Sequence, residues 1–171
     1  MNAMQPIDSL RAQLQGGDEE ELFDALTDIG KKRIRALEAD VVPFLQHRSG
    51  ELRGAAARTL GFHLRAQAHR DAIRHMAGQD PDPEARAGAI VAWTTLLAGT
   101  RDPDAMRTLE ASLRDRAAPY LVRSASFWGL LDVGGLPRDR WPAPRAYANI
   151  DADVPWELVD EVLAPSFGRT A

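Results

Sequence analysis

Apolar residues along this chain recur at steps of three and four, and no segment replaces that rhythm with a sustained alternation of β-branched residues. Such spacing winds an apolar stripe onto helices rather than strands. Leu22, Ala25, Leu26 and Ile29 form one stripe, preceded by Asp18 as a cap. Glu19, Glu20 and Glu21 then fill a first turn where negative charge meets the positive end of the helix dipole. Upstream, a short helix is predicted after Ile7, with Asp8 or Ser9 as its cap and Gly16-Gly17 as its stop; Gly30 reads as the stop of the second helix. A third pattern between Arg35 and His47 carries Leu37, Val41, Phe44 and Leu45, but Pro43 sits inside it and predicts a kink or break near Val42. A helix with Ala68, Ile73 and Met76 should end at Gly78. Another should open at Pro83, where a missing N–H has no partner to lose, and run to Gly99. Met106, Leu109 and Leu113 mark the next, and the last of the series runs from Pro119 to Gly134-Gly135.

Three of these helices share one pattern. ELRGAAARTLGFHL (51–64), EARAGAIVAWTTLL (84–97) and YLVRSASFWGLL (120–131) each place an apolar residue, an arginine, a run of small residues and a large apolar residue in the same order. Arg53, Arg86 and Arg123 are equivalent, 33 and 37 residues apart, and so are Leu60, Trp93 and Leu130. A weaker copy lies upstream, where Ala25, Ile29 and Gly30 match Ala56, Leu60 and Gly61. A period of this size means stacked helical pairs, each too small to bury its own apolar face. The small residues Ala55-Ala56-Ala57 and Ala87-Gly88-Ala89 allow neighbouring backbones to approach closely, and Leu60 is expected to fill the gap between layers. The predicted fold is all-α: a right-handed α-solenoid of stacked pairs, an α-α superhelix. It reads as a single domain, with residues 1–17 as an N-terminal helix or cap, 18–134 as repeats and 135–171 as a C-terminal extension or cap.

Composition narrows the function. At 44% hydrophobic and 27% charged residues the chain is of the globular class. It has no cysteine, so thiolate metal sites and cysteine nucleophiles are excluded. The first residues lack the continuous apolar run of a secretory signal, and no window is apolar enough for a membrane span, so a cytoplasmic protein is expected. The net charge of −4 divides into acidic ends and a mildly basic middle. That is too little positive charge for a protein whose affinity comes from neutralising many phosphates.

The best-preserved segments, SGELRGAAARTLG and QDPDPEARAGAIVAW, resemble HEAT repeats, in particular the short HEAT-like repeats first associated with phycobilisome bilin lyases. The hallmark is a helix ending near Asp, a short Asp/Pro loop, then a helix reading apolar-Arg-x-x-Ala-x-x-x-apolar-Gly; YLVRSASFWGL is a looser copy. The resemblance covers roughly residues 18–134. It implies an ion-pair ladder in which a loop aspartate meets a helix arginine, and Asp80 with Arg86 and Asp115 with Arg123 fit that pattern. In the first unit Gln46, His47 and Arg48 stand where the aspartate belongs, so Arg53 either acts outward or finds a carboxylate elsewhere.

Candidate chemistry is sparse. His47, His63, His69 and His75 lack the HxxxH or HExxH spacing that brings two imidazoles to one face. Asp80, Asp82, Asp102 and Asp104 lack the glycine and distal glutamate of a calcium loop, and helix capping accounts for them. No nucleophile elbow or phosphate-cradling glycine loop occurs. No catalytic residue, cofactor or metal is therefore assigned. What remains is a surface. In HEAT-like arrays the arginine-bearing helix lines the concave side, and aligning the repeats projects Arg58, Val91, Thr94, Phe127, Trp128 and Leu131 outward as a partner-binding stripe. Arginine beside large aromatics is the composition of a binding hot spot. The competing reading lets the tail after Gly135 fold over the stripe and makes Trp128 core. The tail itself, extended through Pro137, Pro142 and Pro144 and then helical from Asp153 or Pro155 with Trp156, Val159, Val162 and Leu163, is either a terminal cap or a partner-binding arm. The expected function is a non-catalytic scaffold, adaptor or inhibitor, with an immunity-type protein as one concrete version, whose partner is another protein, with nucleic acid disfavoured, no membrane, and a monomer favoured. Resemblance also offers a bilin lyase or chaperone, or a HEAT-like DNA-repair scaffold, as alternatives.

Overall fold

Each helix begins and ends where local chemistry permits. In the computed structural model, which describes residues 4–143 and 149–165, the first helix is α1 (Met4–Gly16). It starts earlier than Asp8 or Ser9, because Pro6 is tolerated in a first turn and Asp8 faces Arg11 instead of capping. Asp18 caps α2 (Glu19–Lys31) as expected, in a reciprocal box: Glu21 N–H donates to Asp18 at 3.0 Å and Asp18 N–H to Glu21 at 3.1 Å. The second helix passes through Gly30 rather than stopping there. A β-carbon on Gly30 would stand 2.7 Å from the His63 ring, so this glycine serves close packing. The chain turns instead at Arg33, whose φ is +52°.

After a 3₁₀ turn (Arg35–Leu37), α3 (Glu38–Val41) gives way at Val42 to a 3₁₀ segment (Val42–Gln46) containing Pro43, the break expected there. Then come α4 (Gly50–Ala57), a π-helical continuation (Arg58–His63), α5 (Arg70–Gln79) and α6 (Pro83–Leu96). Ala68 belongs to a 3₁₀ turn (Gln67–His69) leading into α5. The helix opened by Pro83 ends at Leu96, short of Gly99, whose φ of +72° serves the following loop.

Residues 1–96 form one compact unit and 97–171 a second. In the first, α1 packs on α2, α2 on α4, α4 on α6, and α5 on α6. Leu26, Ile29, Leu37, Leu52, Leu60, Leu64 and Ile73 are its fully buried large side chains. The small-residue expectation holds at Gly88 of α6, where a β-carbon would lie 3.3 Å from Gly54 Cα; Gly54 and Gly61 extend it, with β-carbons 3.2 Å from Ala85 Cα and 2.7 Å from Ala92 Cβ.

In the second unit, α7 (Pro103–Arg114) packs on α8 (Tyr120–Gly134), which also carries the short α9 (Ile150–Asp153) and α10 (Trp156–Leu163). Gly135 ends α8 in the left-handed conformation, φ +75°, as the glycine pair suggests. Val159 and Val162 of α10 are buried, and a β-carbon on Gly134 would collide with Val162 at 2.3 Å. The C-terminal extension is thus part of this unit's core. Helix α9 was not expected, and Pro144 lies outside the described residues. All regular elements among the described residues are helical, and none is long and apolar enough to cross a membrane.

Candidate functional site

Two sets of arginines do structural work and define by contrast which charges are left over. Arg53 holds Asp80 through two bonds of 2.7 Å, and its Nη1 also donates to the carbonyls of His47 and Arg48. Both side chains are largely buried. The expected partner of Asp80 was Arg86; Arg53 takes that role because its fork reaches forward to the loop after α5. Burial alone would raise the Asp80 carboxyl, but the Arg53 and Asp82 N–H bonds, with the charges of Arg53 and Arg86, hold it below its ordinary value. In the second unit Arg123, buried at 7% exposure, donates to Leu113 O and to Asp151, not to Asp115. Asp115 instead accepts from Ala117 N within its own loop. In both pairings the arginine of a repeat helix meets a carboxylate further along the chain, 27 and 28 residues on.

The second set was missed in the sequence. Arg33, Arg65 and Arg101 all have left-handed backbones, with φ of +52°, +50° and +53°. Arginine rarely adopts this conformation, at a cost of about 1 kcal/mol or more. It follows the end of a repeat helix each time, and in two of the three cases the same arginine donates to a helix C-terminus in the next layer: Arg65 to Thr95 O at 3.4 Å and Arg101 to Gly134 O at 3.1 Å. In the first layer Arg35 does this, to Leu64 O at 2.6 Å. Orphan carbonyls at helix ends are satisfied in this way. The signal was present as GKKR, HLR and GTR, each placing an arginine just past a repeat helix.

Of the six residues proposed for the stripe, Arg58, Val91 and Trp128 are partly exposed, while Thr94, Phe127 and Leu131 are buried. Thr94 donates to Val91 O within its own helix, and Phe127 and Leu131 have no exposed surface. These three are core positions. One-to-one alignment of repeats assigned them outward because it ignores how far each helix is rotated and overlaid by neighbouring segments.

Arg58 opens the π-helical segment. It lies over Gly88 of α6, where Nη1 would stand 3.0 Å from an added β-carbon. It makes no described hydrogen bond or ion pair, and burial lowers its pKa against the weaker opposing charges of Glu51 and Glu84. Around the end of the same segment, His63 is packed on Gly30 and Phe62 meets it edge-on at 5.0 Å. The His63 pKa is lowered, first by burial and then by Arg33, Arg58 and Lys31.

In the second unit Trp128 stacks on Trp141 at 5.6 Å with planes 19° apart, and Arg138 lies 3.7 Å over the Trp141 ring. Trp141 Nε1 donates to Leu136 O and Arg138 pairs with Asp132. The tail thus covers part of Trp128 without burying it. Trp128, Arg138, Trp141, Pro142 and Ala143 line an open groove of about 440 Å³.

The family model of HEAT repeats matches residues 38–131, more than half of the chain. The chain belongs to the HEAT-repeat family. No curated protein and no solved structure matches it. The HEAT match runs from α3 into α8, and thus spans the Arg53–Asp80 pair, the π-helical segment and Arg58. It begins after α2 and ends before α9 and α10.

Proposed function

We propose that this HEAT-repeat protein is a non-catalytic scaffold, adaptor or inhibitor that binds another protein through the concave face of a right-handed array. HEAT repeats commonly serve as protein-binding scaffolds. The observation that carries the reading is Arg58: a half-buried guanidinium on a repeat helix, unpaired among the described residues and laid over a glycine. An arginine already partly desolvated and held in place loses less on binding than a mobile surface one, and hot spots are rich in such side chains. Val91 in the same unit supplies partly exposed apolar surface, and Trp128 occupies the equivalent row of its own repeat in the second unit. The reading is tested by Arg58→Glu combined with Trp128→Ala, used as bait in affinity capture from the source organism. A folded double variant should retain about tenfold less of the partner that the wild type holds. Equal retention of that partner would show that binding uses another surface.

A further inference from the structure

Nearly every described Arg and Lys of the first unit has a carboxylate, a carbonyl or an aromatic ring as its partner; Lys31, Arg33, Arg58 and Arg86 do not. Arg86 is half-buried, and its buried Nε has no acceptor among the described residues. The charges of the other three all bear on His63, whose ring packs on Gly30 next to Lys31, and every charge described as acting on that imidazole is positive. Beside it Phe62 is exposed at 45%, the most exposed large apolar side chain described in this unit. The cluster is held by structure rather than by chance. Arg33 is placed by its left-handed backbone, His63 by the glycine beneath it, and the π-helical segment by Thr59 Oγ1, which donates to Leu26 O at 2.8 Å. The dipole of α2 favours Lys31 at its C-terminal end, but does not neutralise Arg33 and Arg58.

We propose that this face, where α2 and the π-helical segment end, docks an acidic segment of a partner protein: carboxylates meet Lys31, Arg33 and Arg58, and an apolar side chain covers Phe62. The inference rests on the protein-binding reading above and names the chemistry of the partner. Charge complementarity supports it, because like charges gathered around a partly desolvated ring are relieved by an incoming anion. A protein segment fits better than a nucleic acid. Glu51 and Glu84 act on Arg58, so the positive field is local, and a continuous phosphate backbone would meet those acids and a net charge of −4. Phe62 asks for an apolar contact that a carboxylate-rich peptide with interspersed leucines supplies.

The test titrates the full chain into a fluorescein-labelled peptide of repeated Glu-Glu-Leu units at low salt, followed by anisotropy, with a Ser-Ser-Leu peptide and oligo-dT of equal length in parallel. The glutamate peptide should bind about tenfold or more tightly than the serine peptide, and lose that advantage as salt screens the surface charges. Lys31→Glu with Phe62→Ala, both at exposed side chains, should weaken it by about tenfold. Should that pair disturb folding, Arg33→Asn is the second variant, since asparagine accepts the left-handed backbone while removing the charge. Equal binding of the glutamate and serine peptides, undiminished binding by a folded variant, or tighter binding of oligo-dT would each overturn the proposal. None of these variants alters Arg58 or Trp128, so its failure leaves the capture experiment free to succeed.

Discussion

Asp80 and Arg53 show how much a single carboxylate can hold. The aspartate side chain is 4% exposed and bridges two segments that are 27 residues apart in sequence. Removing one partner of such a pair strands the other, so Asp80→Ala should destabilise the protein by about 3 kcal/mol in urea unfolding. The folded Asp80 pKa lies below its ordinary value of 3.8. Its stabilising contribution is therefore complete above pH 3.8 and disappears as pH falls through the folded pKa; Asp80→Asn should flatten the acid limb of the stability profile. His63 shifts in the same direction, toward its deprotonated form, which here is the neutral one. Burial, then Arg33, Arg58 and Lys31, depress its pKa below 6.5, and Phe62 flanks it edge-on. The unfolded chain thus binds the proton more readily, and stability should decline as pH falls below 6.5, down to the folded pKa. His63→Gln should reduce that decline in melting temperature measured across the same window.

At the scale of elements, contact between α4, its π-helical continuation and α6 depends on missing side chains. Gly61→Ala places a methyl 2.7 Å from Ala92 Cβ and 2.8 Å from its carbonyl oxygen, both on a packed helix. The helices must separate to admit it, at a cost of about 1–3 kcal/mol. Gly78→Ala is the control: it lies in α5 with nothing within 4 Å of the added carbon, and should leave stability unchanged or raise it by about 0.5 kcal/mol. Chemical denaturation of the two variants separates close packing from helix propensity. The π-helical stretch itself, in which Leu64 N–H reaches back to Thr59 O, is an element that apolar periodicity does not announce.

For the molecule as a whole, the C-terminal segment is a structural component. Arg101 donates to Gly134 O and also to Val162 O and Ala164 O, tying α10 to the end of α8. Asp151 supplies the acid for buried Arg123, and Arg114 bonds both Glu110 and Asp160 while lying over Trp156. Truncation after residue 148 should expose the face of α8 that Val159 and Val162 cover, and leave Arg123 without a carboxylate. A large fall in melting temperature, with earlier elution or aggregation on size-exclusion chromatography, is the expected outcome. Unchanged melting would mean the segment is an appended arm.

Local chemistry determined a great deal by itself. The all-helical class, the capping by Asp18, the break at Pro43 and the repeat phase of Arg53, Arg86 and Arg123 all follow from interactions within a few residues or from a period along the chain. Only the tertiary structure decided which carboxylate each arginine meets, because Asp80 and Asp151 lie 27 and 28 residues from Arg53 and Arg123 and compete with nearer candidates. It alone also decided that Phe127 and Leu131 are core while Phe62 is exposed. Helical phase states which residues share a face. Which face is covered depends on the rotation of each helix and on what packs against it, and those are properties of the assembled chain.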